Sequence, residues 1–239
     1  MNHSTEGDIL GVYWEGLSEA LRLLLSGDRT VFEIIYRTLQ VSGTGTLISV
    51  MIGLPLGTVL ALSSFPGRKI IVSLVNLGMG LPPVVVGLWV WLTLSRYGPL
   101  GFLGLLYTPT AMVIAQAIIA SPIVTGFTIA AIQSLNPKIR LQILALGASR
   151  LQLLRLLLRE ARLGLLAAVI AGFGGVISEV GASIMVGGNL KGSTVVLTTA
   201  TVLEVNKGNY EIATAFSIIL LVLAFGITAF LTTAQQRGR

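Results

Sequence analysis

The chain has no cysteine and a single histidine, His3. Disulfides, thiolate nucleophiles and Cys-ligated metals are therefore excluded, and no histidine cluster can form. Charge is scarce as well. Only 11% of residues are Asp, Glu, Lys or Arg, where soluble domains carry about a quarter. Acids are the rarer sign, 10 against 16 Lys and Arg. No Ser/His/Asp set and no paired carboxylates fall in the apolar runs, which argues against an intramembrane hydrolase. What is abundant is apolar: 54% of residues are hydrophobic and the mean hydropathy is +0.87. The chain reads as an integral membrane protein, so its net charge of +6 is a matter of topology and gives no argument for nucleic acid. The opening, MNHSTEGDIL, is acidic and polar, unlike a cleaved signal peptide.

Taken in order, residues 1–30 form an N-terminal extension. Within it, Tyr13 to Leu25 alternates Tyr13, Trp14, Leu17, Leu21 and Leu24 with Glu15, Glu19 and Arg22, the pattern of an amphipathic helix lying in the interface. Gly27 ends it and Asp28 caps the next helix. Since about 20 apolar residues cross the hydrocarbon core, five spans are expected: Val41–Leu62, Ile70–Leu94, Ala111–Leu135, Leu163–Val186 and Ile212–Gln236. The first is rich in Gly, Ser and Thr, which let helices approach closely. The second must break or kink at Gly78-Met79-Gly80-Leu81-Pro82-Pro83, and backbone freed at that depth has to be buried or line a wet cavity. The third contains Gln116 and Ser121-Pro122. Trp89, Trp91 and Tyr97 suit the far interface. Residues 187–210 form a polar outer segment with a short helical stretch, Val195 to Glu204. The whole of 1–239 reads as one transmembrane domain.

Between the third and fourth spans lies a basic stretch, residues 136–162, with Lys138, Arg140, Arg150, Arg155, Arg159 and Arg162 against one acid, Glu160. Lys and Arg near span ends stay in the cytoplasm, so this loop faces inward. Arg68, Lys69, Arg237 and Arg239 fall on the same side. The sparser outer set is Arg22, Arg29, Arg37, Arg96, Lys191 and Lys207, with most of the acids. The N-terminus is thereby expected outside and the C-terminus inside. Locally, Asn136 can cap a helix with Pro137 at its first position, Gly147 can stop it in the left-handed conformation, and Ser149 with Gln152 can open a second helix as a capping box. The residues alone fit two readings, a surface hairpin whose Arg155, Arg159 and Arg162 snorkel to anionic headgroups, or a docking elbow for a soluble partner.

Two features carry chemistry. Glu179 is the only acid inside an apolar run. A charge there costs about 2.5–3.5 kcal/mol on the insertion scale, so such a residue is expected to serve the path or gate, or else to hold helices together through Ser183. Gly187-Gly188-Asn189-Leu190-Lys191-Gly192-Ser193-Thr194 has a phosphate loop's composition, but Lys191 precedes Gly192, so no nucleotide site is expected.

The elbow's Leu144-Ala145-Leu146-Gly147-Ala148-Ser149 resembles the glycine centre of the cytoplasmic motif of ABC-importer permeases. Leu141, Gln142 and Ile143 stand where that motif has Glu-Ala-Ala, and Arg159-Glu160 where it has Leu-Pro. Longer stretches are more specific. Leu81-Pro82-Pro83-Val84-Val85-Val86-Gly87-Leu88, Gly98-Pro99-Leu100-Gly101, the run from Tyr107 to Gln116, the run from Ile177 to Asn189, Leu197-Thr198-Thr199-Ala200 and Lys207-Gly208 resemble the permease of tungstate-type ABC importers. Molybdate and sulfate permeases share that architecture. The resemblance covers about residues 30 to 235.

It implies the all-α fold of type I importer permeases: about five transmembrane helices, a cytoplasmic coupling elbow and an N-terminal interfacial helix. It also implies a homodimer in the cell membrane, two ABC ATPase subunits that hold ATP and Mg, and an extracytoplasmic binding protein. The chain itself would then bind no cofactor or metal, catalyse no reaction and meet lipid but no nucleic acid. Carried to this sequence, coupling falls on Asn136, Pro137, Lys138, Ala145, Gly147, Ala148 and Ser149. The path or gate falls on Pro82, Pro83, Gln116, Ser121, Pro122, Glu179, Ser183 and Asn189. Two other classes stay open, an ion-coupled secondary carrier, for which only Glu179 offers a coupling group, and a structural membrane subunit, which has no need of a proline-broken span.

Overall fold

The computed structural model describes residues 4–236. His3, Arg237 and Arg239 lie outside them. Among the described residues there are eleven α-helices, one short 3-10 turn at Gly101–Leu103 and no strand. The helices are α1 (Ser4–Leu25), α2 (Arg29–Leu62), α3 (Arg68–Met79), α4 (Pro83–Leu94), α5 (Pro109–Gln133) and α6 (Pro137–Ala145). They continue with α7 (Arg150–Glu160), α8 (Arg162–Ile177), α9 (Gly181–Gly187), α10 (Leu197–Asn206) and α11 (Tyr210–Gln236). Three of these, α2, α5 and α11, are long and apolar enough to cross a membrane, and there are five spans if the broken pairs α3/α4 and α7/α8 each count as one. The chain forms two compact units.

The first unit comprises the chain up to Thr44, Pro83–Gln116 and Ile177–Ile227. Gly27, at φ 68°, ends α1, and the Asp28 carboxylate accepts from Val31 N–H at 3.0 Å to open α2. α1 packs on α11 through small residues: a Cβ on Gly16 would meet the Thr214 side chain, and Ala20 is buried. Tyr13, Trp14 and Leu21 remain exposed on its other side, as an interfacial helix requires. Val31, Val195, Leu197, Ala215, Phe216 and Ile219 join Ala20 in the apolar core. α4 and α9 approach with almost no side chain between them, since a Cβ on Gly87 would fall 2.7 Å from Ala182 Cα.

The second unit comprises Gly45–Pro82, Ala117–Val176 and the chain from Thr228. Here the small residues of α2 form a stripe at four-residue spacing. Ser49 Oγ donates to Gly45 O (2.8 Å) and to Ala117 O (3.1 Å), a Cβ on Gly53 would lie 2.8 Å from Val124, and one on Gly57 2.6 Å from Thr128. This is the close helix contact with α5 that the Gly/Ser/Thr composition called for. Gly164 packs against Ala131, and Gln235 Nε2 donates to Leu163 O at 2.7 Å, tying α8 to α5 and to the end of α11. The basic turn is pinned by Arg68, whose Nε donates to Leu60 O at 2.6 Å.

Three expectations need correction. The fourth span is not one helix. α8 stops at Ile177, α9 is a separate helix, and Glu179 stands in the break. The second elbow helix, α7, turns by 65° into α8 at Ala161, so Arg162 sits beyond the bend and not on one face with Arg155 and Arg159. The polar outer segment also proves to be partly core: Thr194 to Ala200 are all buried, and the short helix begins at Leu197 instead of Val195. The second span does break as its glycines and prolines require, α3 ending at Met79 and α4 starting on Pro83.

Candidate functional site

In the first unit the polar groups gather around the break that holds Glu179. Glu179 is 8% exposed, and its Oε1 accepts from the Ala182 N–H at 2.7 Å. Glu179 thus supplies from the side the acceptor that the short helix α9 lacks at its N-terminus, where the N-cap residue is Val180. The break is fastened a second time by Thr198, whose hydroxyl donates to the Glu179 carbonyl at 3.2 Å. A Cβ on Gly181 would lie 2.5 Å from Val84, so only glycine lets the first turn of α9 pass α4. The expected link from Glu179 to Ser183 is not formed. Ser183 Oγ instead accepts from Gln116 Nε2 at 3.4 Å, and both residues are almost fully buried.

Asn189 follows the end of α9 in the left-handed conformation (φ 48°), after Gly188 at φ 69°. Its Nδ2 donates to Thr199 O at 3.4 Å. Thr194 closes this loop: its hydroxyl donates to Gly187 O (2.6 Å) and accepts from Leu190 N–H (2.8 Å). Two side-chain acceptors in the neighbourhood, Gln116 Oε1 and Asn189 Oδ1, are buried with no partner among the described residues. Buried amides left half-satisfied are uncommon. Pro83 is the first residue of α4.

Sequence reasoning missed Thr38, Thr194 and, as an anchoring group, Thr198. Thr38 Oγ1 accepts from Leu197 N–H at 2.9 Å and is itself 2% exposed, so it positions α10. A signal was present: from Gly192 to Leu203 the chain carries no charge at all, unusual for a solvent loop.

In the second unit, Pro82 is the last residue of the break in the second span, and Pro122 lies inside α5 against Gly78, where a Cβ would fall 2.8 Å from its ring. Ser121 Oγ donates to Ala117 O at 2.6 Å, so its hydroxyl hydrogen is used within α5. The elbow is built as its local chemistry dictates. Asn136 Oδ1 accepts from Lys138 N–H (2.9 Å), Pro137 opens α6, and Gly147 turns the chain at φ 78°. Ser149 and Gln152 exchange both bonds of a capping box, 3.3 and 2.8 Å, at the start of α7. Ala145 is the last residue of α6, and Ala148 N–H reaches back to Ile143 O at 3.4 Å. None of the six elbow cations forms a salt bridge among the described residues. Leu141, Leu146 and Leu151 are exposed on the elbow, an apolar surface framed by positive charge.

Spanning helices interrupted by proline and glycine breaks, with a capped hairpin of basic helices between spans, define a polytopic membrane protein of the permease class. The match to a family model narrows this: the chain belongs to the family described as binding-protein-dependent transport system inner membrane component, matched over residues 53–237. It is 40% identical over 222 residues to the tungstate uptake system permease protein of Peptoclostridium acidaminophilum, covering 93% of this chain and 97% of that one. It is 41% identical over 197 residues to a probable anion ABC transporter permease protein of Haloferax volcanii, covering 80% and 85%. Among solved structures, a bacterial ABC transporter involved in the import of the acidic polysaccharide alginate shares the fold with a TM-score of 0.74 and 21% identity, covering 98% of this chain and 90% of that one. The chain is thus a multi-pass membrane permease subunit of the ABC transporter class.

Proposed function

We propose that this chain is the membrane subunit through which an ATP-driven importer takes up an oxyanion, tungstate first among them, by alternating access. The observation that carries the reading is the 40% identity to a tungstate uptake permease over 93% of the chain. The physics supports it. Moving a dianion into a cell interior at −100 mV costs about 4.6 kcal/mol, at roughly 2.3 per charge, so uptake needs a coupled energy source. The chain serves transport and is not itself an enzyme. ATP and Mg are held by two separate ATPase subunits, each seated on an elbow through Asn136–Ser149, and an extracytoplasmic protein delivers the anion to a homodimer of this chain. The N-terminus lies outside and the C-terminus in the cytoplasm, which puts the basic elbow inside.

Along the path, hydroxyls and amides such as Ser183, Gln116 and Asn189 hold the anion weakly enough to release it. Pro82 and Pro83 mark the helix break that shifts as access alternates, and Ser121 and Pro122 mark the point in the unbroken α5 where a proline removes a backbone donor. Glu179 fixes the closed gate by holding α9 and does not grip substrate. Oxyanion competition for uptake by the assembled transporter in proteoliposomes tests the substrate: unlabelled tungstate should outcompete molybdate and sulfate. Competition by sulfate alone would move the assignment to the sulfate permeases.

A further inference from the structure

A cavity of about 220 Å³ in the first unit belongs to neither the gate nor the elbow. It lies where α2, α10, the loop before α10 and α11 meet. Its inner wall is apolar: Ile34, Val195, Ala200, Leu203 and Phe216. Its mouth carries charge of both signs, but the acids are already committed. Glu33 holds Arg29 at 3.0 Å, and Glu204 takes both Lys207 at 2.6 Å and the Asn209 amide at 2.7 Å. Burial alone would push the Glu204 carboxyl up. The hydrogen bonds from Lys207 and Asn209, with the charges of Lys207 and Lys191, outweigh it and hold the group below its ordinary range, so it stays ionised. Arg37 and Lys191 are the cations that hold no carboxylate directly, and Lys191 acts on Glu204 only through its charge. Both line the cavity, and neither makes a hydrogen bond or ion pair among the described residues.

The position relative to the bilayer follows from the sequence. Arg37 stands one turn before the uncharged run that starts at Val41, and Lys207 stands just before α11 enters its own. Both therefore lie at headgroup level. Trp14 and Tyr13, exposed on α1 in the same unit, belong to the same layer. An apolar recess with two cations free of direct ion pairs at its mouth, at the depth of the headgroups, is complementary to an amphipathic anion. A bare oxyanion would gain from the cations but would have to desolvate against five apolar side chains.

We propose that this cavity is a binding site for an anionic phospholipid, with the start of an acyl chain against Phe216 and Leu203 and the phosphate between Arg37 and Lys191. The site is separate from the transport path, and its existence does not depend on which anion is transported.

The test is lipid binding to the purified full-length chain in neutral detergent, read by native mass spectrometry. The probes are dioctanoyl phosphatidylglycerol, dioctanoyl phosphatidylcholine and inorganic phosphate. Phosphatidylglycerol should bind, phosphatidylcholine should bind at least tenfold more weakly, and inorganic phosphate should not displace the lipid. Replacing both cations, Arg37→Gln with Lys191→Gln, should weaken phosphatidylglycerol about twenty-five-fold, at roughly fivefold per cation near a headgroup. Both side chains lie outside the core, so the fold should survive. Ala200→Leu should fill the recess and reduce binding with both cations still in place, and should that variant fail to fold, the double Gln variant alone decides. Equal binding of the two lipids, displacement by phosphate, or an unchanged double variant would each overturn the proposal. So would a double variant that binds lipid normally yet loses stimulation by the extracytoplasmic binding protein, because that would assign the cations to protein docking.

Discussion

Replacing Glu179 separates its role as a helix cap from any role of its charge. The structure gives it one directional contact, Oε1 to the Ala182 N–H at 2.7 Å, at the N-terminus of a seven-residue helix that has no side-chain bond from its own cap position. A glutamine carbonyl can accept the same N–H with the same reach. Glu179→Gln then loses at most the difference between a charged and a neutral acceptor, about 1 kcal/mol. Glu179→Ala strands a buried N–H, which costs about 1–3 kcal/mol, and also removes a buried side chain beside Gly181. For a chain of this length about 1 kcal/mol corresponds to roughly 2–4 °C in unfolding midpoint. The Gln variant should therefore melt a few degrees low and the Ala variant about twice as far below wild type. In proteoliposomes with the partner ATPase, the Gln variant should still transport, while the Ala variant should hydrolyse ATP without coupled uptake and leak anion. A Gln variant that folds and assembles but is dead would show that the charge itself is essential, and the latch described here would be wrong.

Four further outcomes follow. Gly147→Val forces a β-branched residue into φ 78°, at about 1–2 kcal/mol of strain, so it should insert normally yet show ATP hydrolysis that no longer responds to substrate, whereas Gly147→Asn should keep the response; substrate-stimulated hydrolysis at the wild-type level in the Val variant would refute docking at the elbow. Gly87→Ala drives a methyl to 2.7 Å from Ala182 Cα and should destabilise by about 1–3 kcal/mol, while Gly43→Ala, with nothing within 4 Å, should be neutral or stabilising, as paired thermal melts will show. In a chain without native cysteine, Ser4→Cys should react with an impermeant thiol reagent from outside and Gln236→Cys only from inside; the reverse pattern would invert the topology. The Glu204 carboxyl is held below its ordinary range by Lys207 and Asn209, so the 204–209 turn should gain its stabilisation above the ordinary carboxylate range and lose it only as pH falls through the lowered value. Hydrogen exchange of the Gly208 amide against pH, compared with Glu204→Gln, checks this.

Much of the molecule is decided locally and so can be read from residues alone. The break in the second span follows from Gly78 to Pro83, because proline removes a donor and clashes with the preceding turn. The elbow follows from Asn136, Pro137, Gly147, Ser149 and Gln152, whose bonds span only two or three residues. The Gly/Ser/Thr face of α2 announced a close helix contact, and the family was legible in its long motifs. What residues alone could not decide is which side chain meets which across long separations. Glu179 reads as an acid within a span, yet Thr198, nineteen residues on, fastens a break there. Ser183 reads as the partner of Glu179, but Gln116 reaches it from 67 residues away. Thr194 to Ala200 read as part of a polar outer segment, yet all are buried, and Leu197 N–H donates to Thr38, 159 residues away. Caps and breaks depend on neighbours in the chain, and the sequence determines them by itself. Burial and long-range hydrogen bonds depend on which helices come together, and only the tertiary structure settles that.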